Sequence, residues 1–131
     1  LPLSLSYDHR VIDGADAAVF RLKNGRVIER HSLPQYLDGE IVGRGDLAAQ
    51  TTQILRNIET GLAAAGAGLE HLVKLNIFVV EGHDLQSGFE AFQAIWGDRP
   101  NPPLITVAVV QALGPGPDFL AEIDAIAVVP E

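Results

Sequence analysis

Residues 46–80, DLAAQTTQILRNIETGLAAAGAGLEHLVKLNIFVV, decide the fold. Asp46 is a good N-cap, and after it Leu47, Ile54, Leu55, Ile58 and Leu62 recur at spacings that share one side of a 3.6-residue helix. The helix is expected to stop at Gly66, which takes a left-handed C′ conformation at little steric cost. Leu72 to Val80 then alternates as a strand. Val73, Leu75, Ile77 and Val79 form one apolar face, while Lys74 and Asn76 interrupt the other. An amphipathic helix followed by a strand with one apolar face implies a helix covering a sheet.

Working outward toward the C-terminus, Asp84 is placed to cap a second helix ended by Gly97. Its Leu85, Phe89, Phe92 and Trp96 read as a buried stripe, the aromatics as core anchors. Asn101-Pro102-Pro103 must be extended and delivers the chain into Leu104 to Val110, a β-branched run typical of a central strand. Gly114-Pro115-Gly116-Pro117 is a turn, and Phe119 to Val129 alternates as the last strand.

Toward the N-terminus, His31 to Gly45 reads as loop, broken by Pro34, Asp38-Gly39 and Gly43 to Gly45. Val19 to Ile28 is extended with a hairpin signal at Asn24-Gly25, Asp13-Gly14 marks a turn, and Leu3 to Tyr7 alternates as a first strand. The order strand, strand, helix, strand, helix, strand, strand predicts an α+β sandwich, β-β-α-β-α-β-β, with both helices on one face of a single sheet. At 131 residues one domain spans 1–131, with an atypical first hairpin over 1–30 and a core over 38–130.

The other sheet face needs explaining. Lys74, Asn76, Glu122 and Asp124 are too polar for a dry core, yet Leu72, Phe78, Leu120, Ile126 and Val128 lie between them. A homo-oligomer reconciles the two: copies bury the apolar positions against one another, and the polar ones line clefts that admit a small molecule.

Composition excludes several function classes. A net charge of −8 argues against nucleic acid or an anionic membrane as partner, and with 47% hydrophobic residues no apolar run approaches a membrane span. No secretory leader is expected from the first residues, and the chain has no cysteine, so the cytoplasm is the expected compartment. His31, His71 and His83 lack metal-ligand spacing and read as surface residues; Gly43 to Gly45 is too short for a phosphate loop and lacks its lysine. Neither metal nor cofactor is expected. Residues 1–30 hold five basic and four acidic side chains, whereas the remainder holds four and thirteen, a shift that marks a seam near residue 30.

Two resemblances follow from particular segments. Asp38-Gly39-Glu40-Ile41-Val42, Gly45 to Thr51, Val73-Lys74-Leu75 and Glu122 to Val128 together resemble the YjgF or Rid family, small proteins that hydrolyse reactive enamines and imines. The resemblance implies a chorismate-mutase-like fold, a homotrimer and ligand clefts at subunit boundaries. It further implies that Asp124, in place of a usual glutamate and with Glu122 on the same face, holds the attacking water. The family's arginine, which clamps a substrate carboxylate with two hydrogen bonds, is expected to be replaced by Ile105 beside Thr106. Such a cleft would handle 2-iminocarboxylates poorly and favour neutral ligands. Ser32 stands for the family's serine segment, and Arg99 is the nearest substitute cation.

Separately, Ser4 to Ala18, with its run Tyr7-Asp8-His9-Arg10-Val11-Ile12-Asp13-Gly14, resembles the active-site segment of dihydrolipoyl acyltransferases. There a histidine acts as general base on a thiol and an aspartate four residues on supports it, which implies those roles for His9 and Asp13. The segment covers a small part of the chain and implies a chimera in which it serves as the first hairpin strand. A non-catalytic trimeric scaffold and an acyltransferase-derived fragment therefore stand beside the imine hydrolase as readings.

Overall fold

A computed structural model of the chain describes residues 41–114 and 116–130, together with the strand backbone of 3–4, 19–22, 27–32, 36–37 and 40–41. Helix α1, Leu47–Ala64, begins where Asp46 accepts a hydrogen bond from the Ala49 N–H. It ends in a Schellman motif: Gly66, at φ +80°, donates to Ala63 O and Ala67 donates to Leu62 O. The face carrying Ile54, Leu55, Ile58 and Leu62 is fully buried, which stabilises the fold by roughly 2 kcal/mol per side chain.

The sheet is six-stranded, in the order β1 (Leu3–Ser4), β2 (Val19–Leu22), β3 (Val27–Ser32), β8 (Ala121–Val128), β6 (Leu72–Val80), β7 (Leu104–Val110). Neighbours are antiparallel except β6 and β7, which run parallel because α2, Leu85–Trp96, crosses between them. Leu75, Val79, Ala121, Ile123, Ala125 and Ala127 form the sheet's half of the core with α1 above them. Gly88 lets the two helices approach, since a Cβ there would sit 3.2 Å from Leu47 Cγ. The architecture is the expected α+β arrangement with both helices on one face.

Local expectations need correction. The chain between His31 and Gly45 is more than loop: β3 runs on to Ser32, and β4 (Tyr36–Leu37) pairs with β5 (Glu40–Ile41). β2 and β3 do pair antiparallel, Val19 with Arg30 and Arg21 with Ile28, while the Asn24-Gly25 turn, Asp38-Gly39 and residues 5–18, with Tyr7, His9 and Asp13, lie outside the described residues. A register shift between Leu72 and Lys74 turns Leu72 into the core and leaves Val73 44% exposed, so Val73 does not share the face of Leu75. Leu120 is also buried, its N–H donating 2.8 Å to Gln50 Oε1, and does not belong to the polar face.

The largest correction concerns β7. Its sequence suits a central strand, yet among the described strands it is the sheet edge, with β6 as its one neighbour. Phe89 is likewise no core anchor, at 54% exposed, although Trp96 is buried and Phe92 stacks on it with ring centroids 6.2 Å apart. α2 packs chiefly against α1 and leaves an open cleft between its own side chains and β7. Leu85, Phe89, Ile105, Val107 and Val109 are consequently an exposed apolar flank.

Candidate functional site

The alternation of β6, β7 and β8 sorts every candidate residue onto one of two faces. Ile105 is in register with Leu75 and Val107 with Ile77, on the helix-covered face. Both line an apolar cleft of about 140 Å³ with Leu85, Phe89 and Phe92. Asp124 is in register with Asn76, and Asn76 with Thr106; Glu122 is in register with Phe78, and Phe78 with Ala108. Those residues occupy the opposite face, which no described element covers. Ile126, Lys74 and Leu104 form the next row of that face.

Asp124, Glu122 and Thr106 are therefore brought together, and Ile105 is separated from them by the thickness of the sheet. A side chain at 105 cannot reach a ligand bound over Asp124. The β7 positions on the Asp124 face, across β6 from it, include Leu104 and Thr106, and no residue of β7 is basic. Arg99 is also unavailable: its Nη1 donates to Ile95 O at 2.7 Å and Trp96 O at 2.8 Å, closing the end of α2. Ser32 stands at the register position of Ile123, a core-face position, while His31 is the register partner of Asp124 on β3. His9 and Asp13 lie outside the described residues.

The ends of these strands shape a second depression. A groove of about 430 Å³ is lined by His71, Val73, Pro103, Leu104 and Val128, among others. His71 Nδ1 accepts 2.9 Å from the Gly68 N–H, so the neutral ring presents Nε2 as a donor. Among the described residues no group of three His, Asp or Glu side chains can hold a metal ion.

One buried polar side chain had no sequence signal. Gln50 Nε2 donates to Asp118 O at 2.7 Å and Gly43 O at 3.3 Å, and its Oε1 takes the Leu120 N–H. Helix α1 thus holds the turn that feeds β8, which fixes where Glu122 and Asp124 emerge.

The Endoribonuclease L-PSP family model matches residues 31–129. The chain belongs to this family. RutC family proteins of Synechocystis and Pyrococcus horikoshii are 36% identical over 93 residues and 35% over 89 residues; the matches cover 69% and 68% of this chain and 67% of each relative. Among solved structures, the Rid family protein YyfB of Yersinia pestis superposes with TM-score 0.70 at 31% identity, covering 85% of this chain and 84% of that one. Rv2704 of Mycobacterium tuberculosis, of the YjgF/YER057c/UK114 family, gives TM-score 0.71 at 27% identity with 98% of each chain covered. E. coli TdcF with bound serine, at 23% identity and TM-score 0.71 over 83% of this chain and 85% of that one, shares the fold. The first 34 residues match a different model, the catalytic domain of 2-oxoacid dehydrogenase acyltransferases. The two matches overlap only at 31–34, where β3 ends.

Proposed function

We propose that this L-PSP family chain binds a small imine or enamine over the Asp124 face and hydrolyses it. The observation that carries the reading is the row Asp124, Asn76, Thr106 on three adjacent strands, open on a face that nothing in the described chain covers. The Asp124 carboxylate accepts a hydrogen bond from a water, whose oxygen adds to the imine carbon as a proton passes to the nitrogen. The resulting carbinolamine loses ammonia and leaves a carbonyl compound. Asn76 and Thr106 offer an amide and a hydroxyl to orient the water and the nitrogen.

The same reading includes a closed ring of three copies. The exposed flank of Leu85, Phe89, Ile105 and Val107 and the polar sheet face are different surfaces, so a two-fold contact would set each against itself. Head-to-tail association buries the flank against a different part of the next copy's surface and repeats until it closes. Burying the flank removes an apolar patch of a kind that monomers seldom leave in water.

The test is ammonia release from an imine generated in place by an amino-acid oxidase. Asp124→Asn, which keeps the shape and loses the charge, is expected to lower the rate at least tenfold with the oligomeric mass unchanged. Equal rates would remove Asp124 from the reaction. A second reading, acyl transfer with His9 and Asp13, is favoured by the match of residues 1–34. It predicts saturable binding of coenzyme A, whereas hydrolysis over Asp124 predicts none.

A further inference from the structure

The polar face of the sheet is organised in rows that cross adjacent strands. His31 on β3 is in register with Asp124 on β8, Asp124 with Asn76 on β6, and Asn76 with Thr106 on β7. One row of four strands therefore sets a histidine, an aspartate, an asparagine and a threonine side by side. Register partners in an antiparallel pair have Cβ atoms about 4.5–5.5 Å apart, so His31 and Asp124 are direct neighbours across β3 and β8.

The proposed hydrolysis moves protons at two places. A proton must leave the attacking water, where Asp124 takes it, and another must reach the imine nitrogen. Among the described strands the other ionisable residues placed on this face are three. Glu29 and Lys74 are both in register with Ile126, and Glu122 is in register with Phe78. Carboxyl and ammonium side chains ordinarily titrate well away from neutrality, whereas a histidine exchanges its proton at about pH 6.5. Asparagine and threonine orient a ligand without titrating in that range. His31 is thus the residue of this face whose chemistry suits proton transfer near neutral pH, and it stands in the same row as Asp124.

From this placement we infer that His31 transfers the proton at the nitrogen side of the Asp124 site. The inference rests on the proposed cleft and names the proton donor that reading leaves unassigned. As the water oxygen bonds to the imine carbon, Asp124 takes one water proton and the His31 imidazolium gives its proton to the nitrogen, leaving a neutral carbinolamine. In the second half Asp124 returns its proton to the amino nitrogen, and the neutral imidazole removes the hydroxyl proton. The C–N bond breaks, ammonia departs, the carbonyl forms, and both side chains end in their starting states. Water is the one co-reactant. Hydrolysis then requires His31 protonated, so the rate falls at the alkaline end as His31 loses its proton. A histidine needed only for packing gives no such limb.

The experiment uses the whole chain and ammonia release from an imine made in place by excess amino-acid oxidase, recorded across the neutral pH range. His31→Gln, which keeps hydrogen-bonding capacity without titrating, is expected to lower the rate at least about tenfold and to abolish the alkaline limb. Added imidazole is expected to restore part of the rate to His31→Ala and none to Asp124→Asn. The limb itself is read on the unmodified protein, so one arm does not depend on any variant folding, and its absence overturns the role of His31. So does an unchanged rate in His31→Gln, or a lowered rate that keeps the limb and that imidazole does not restore in His31→Ala. Asp124→Asn judges the cleft separately. If it is inactive while His31→Gln keeps the full rate, the cleft stands and this inference falls; if it keeps the full rate, the cleft falls.

Discussion

Arginine placed at two adjacent positions of β7 should have opposite consequences, because the strand turns one residue to each face. Leu104 is 76% exposed on the Asp124 face, so Leu104→Arg puts a guanidinium into solvent beside the site with no apolar surface to displace. When a carboxylate ligand arrives, two charge-assisted hydrogen bonds become available at roughly 1.5–3 kcal/mol each. Ordering the long side chain opposes this by up to about 2 kcal/mol. Like-charge contact with Lys74, its register partner, opposes it by up to about 1 kcal/mol. With both costs counted in full the net gain is up to about 3 kcal/mol, a rise of up to roughly 150-fold in kcat/KM for 2-iminopropionate. Ile105→Arg instead sets the charge into the cleft of Phe89 and Val107 on the far side of the sheet, so activity should not rise and stability should fall. Both variants are assayed by ammonia release from the imine made in place by an amino-acid oxidase, with urea denaturation alongside. A rise with Ile105→Arg and none with Leu104→Arg would refute the assignment of faces along β7.

Gln50→Ala should destabilise the fold by about 3–5 kcal/mol, since it strands the buried Leu120 N–H and two carbonyls, a loss visible as a lowered urea midpoint with an unchanged slope. Phe89→Glu, on the exposed flank of α2, should leave the far-ultraviolet circular dichroism intact and shift the mass measured by light scattering from that of the proposed trimer toward that of a monomer; an unchanged mass would place the contact elsewhere.

Helix α1 and its end were legible because each signal is local. Asp46, the apolar spacing and Gly66 act within a few residues of themselves, and the structure uses all three. Strand faces were less so. Alternation in Leu72 to Val80 is correct from Lys74 onward, but the register shift at Val73 depends on how β8 meets β6, which no local pattern encodes. β7 was read as central because β-branched uncharged residues suit burial on both sides, and the chain alone does not say that a covering surface can come from another copy. That Ile105 stands on the face opposite Asp124 was not legible for the same reason. Counting from the prolines leaves a one-residue uncertainty, and in a strand one residue is the difference between the two faces. Gln50 was invisible for a different reason: its partners Asp118 and Leu120 are 68 and 70 residues away.

The seam near residue 30 is where the two family matches meet, and the sheet shows why such a junction folds. β3 pairs with β8 along six rows, from Val27 with Val128 to Ser32 with Ile123. Ladder hydrogen bonds are made by the backbone, so a strand of foreign origin satisfies them as well as a native one, provided its alternation agrees with the faces. Without β1 to β3, β8 would be an edge strand, and Glu122 and Asp124 would stand beside unpaired backbone groups that attract other chains. The acyltransferase-like segment therefore has a structural use that does not require its histidine to act as a base. It also delivers His31 to the register position of Asp124, so the end of the acyltransferase-like stretch borders the face where hydrolysis is proposed.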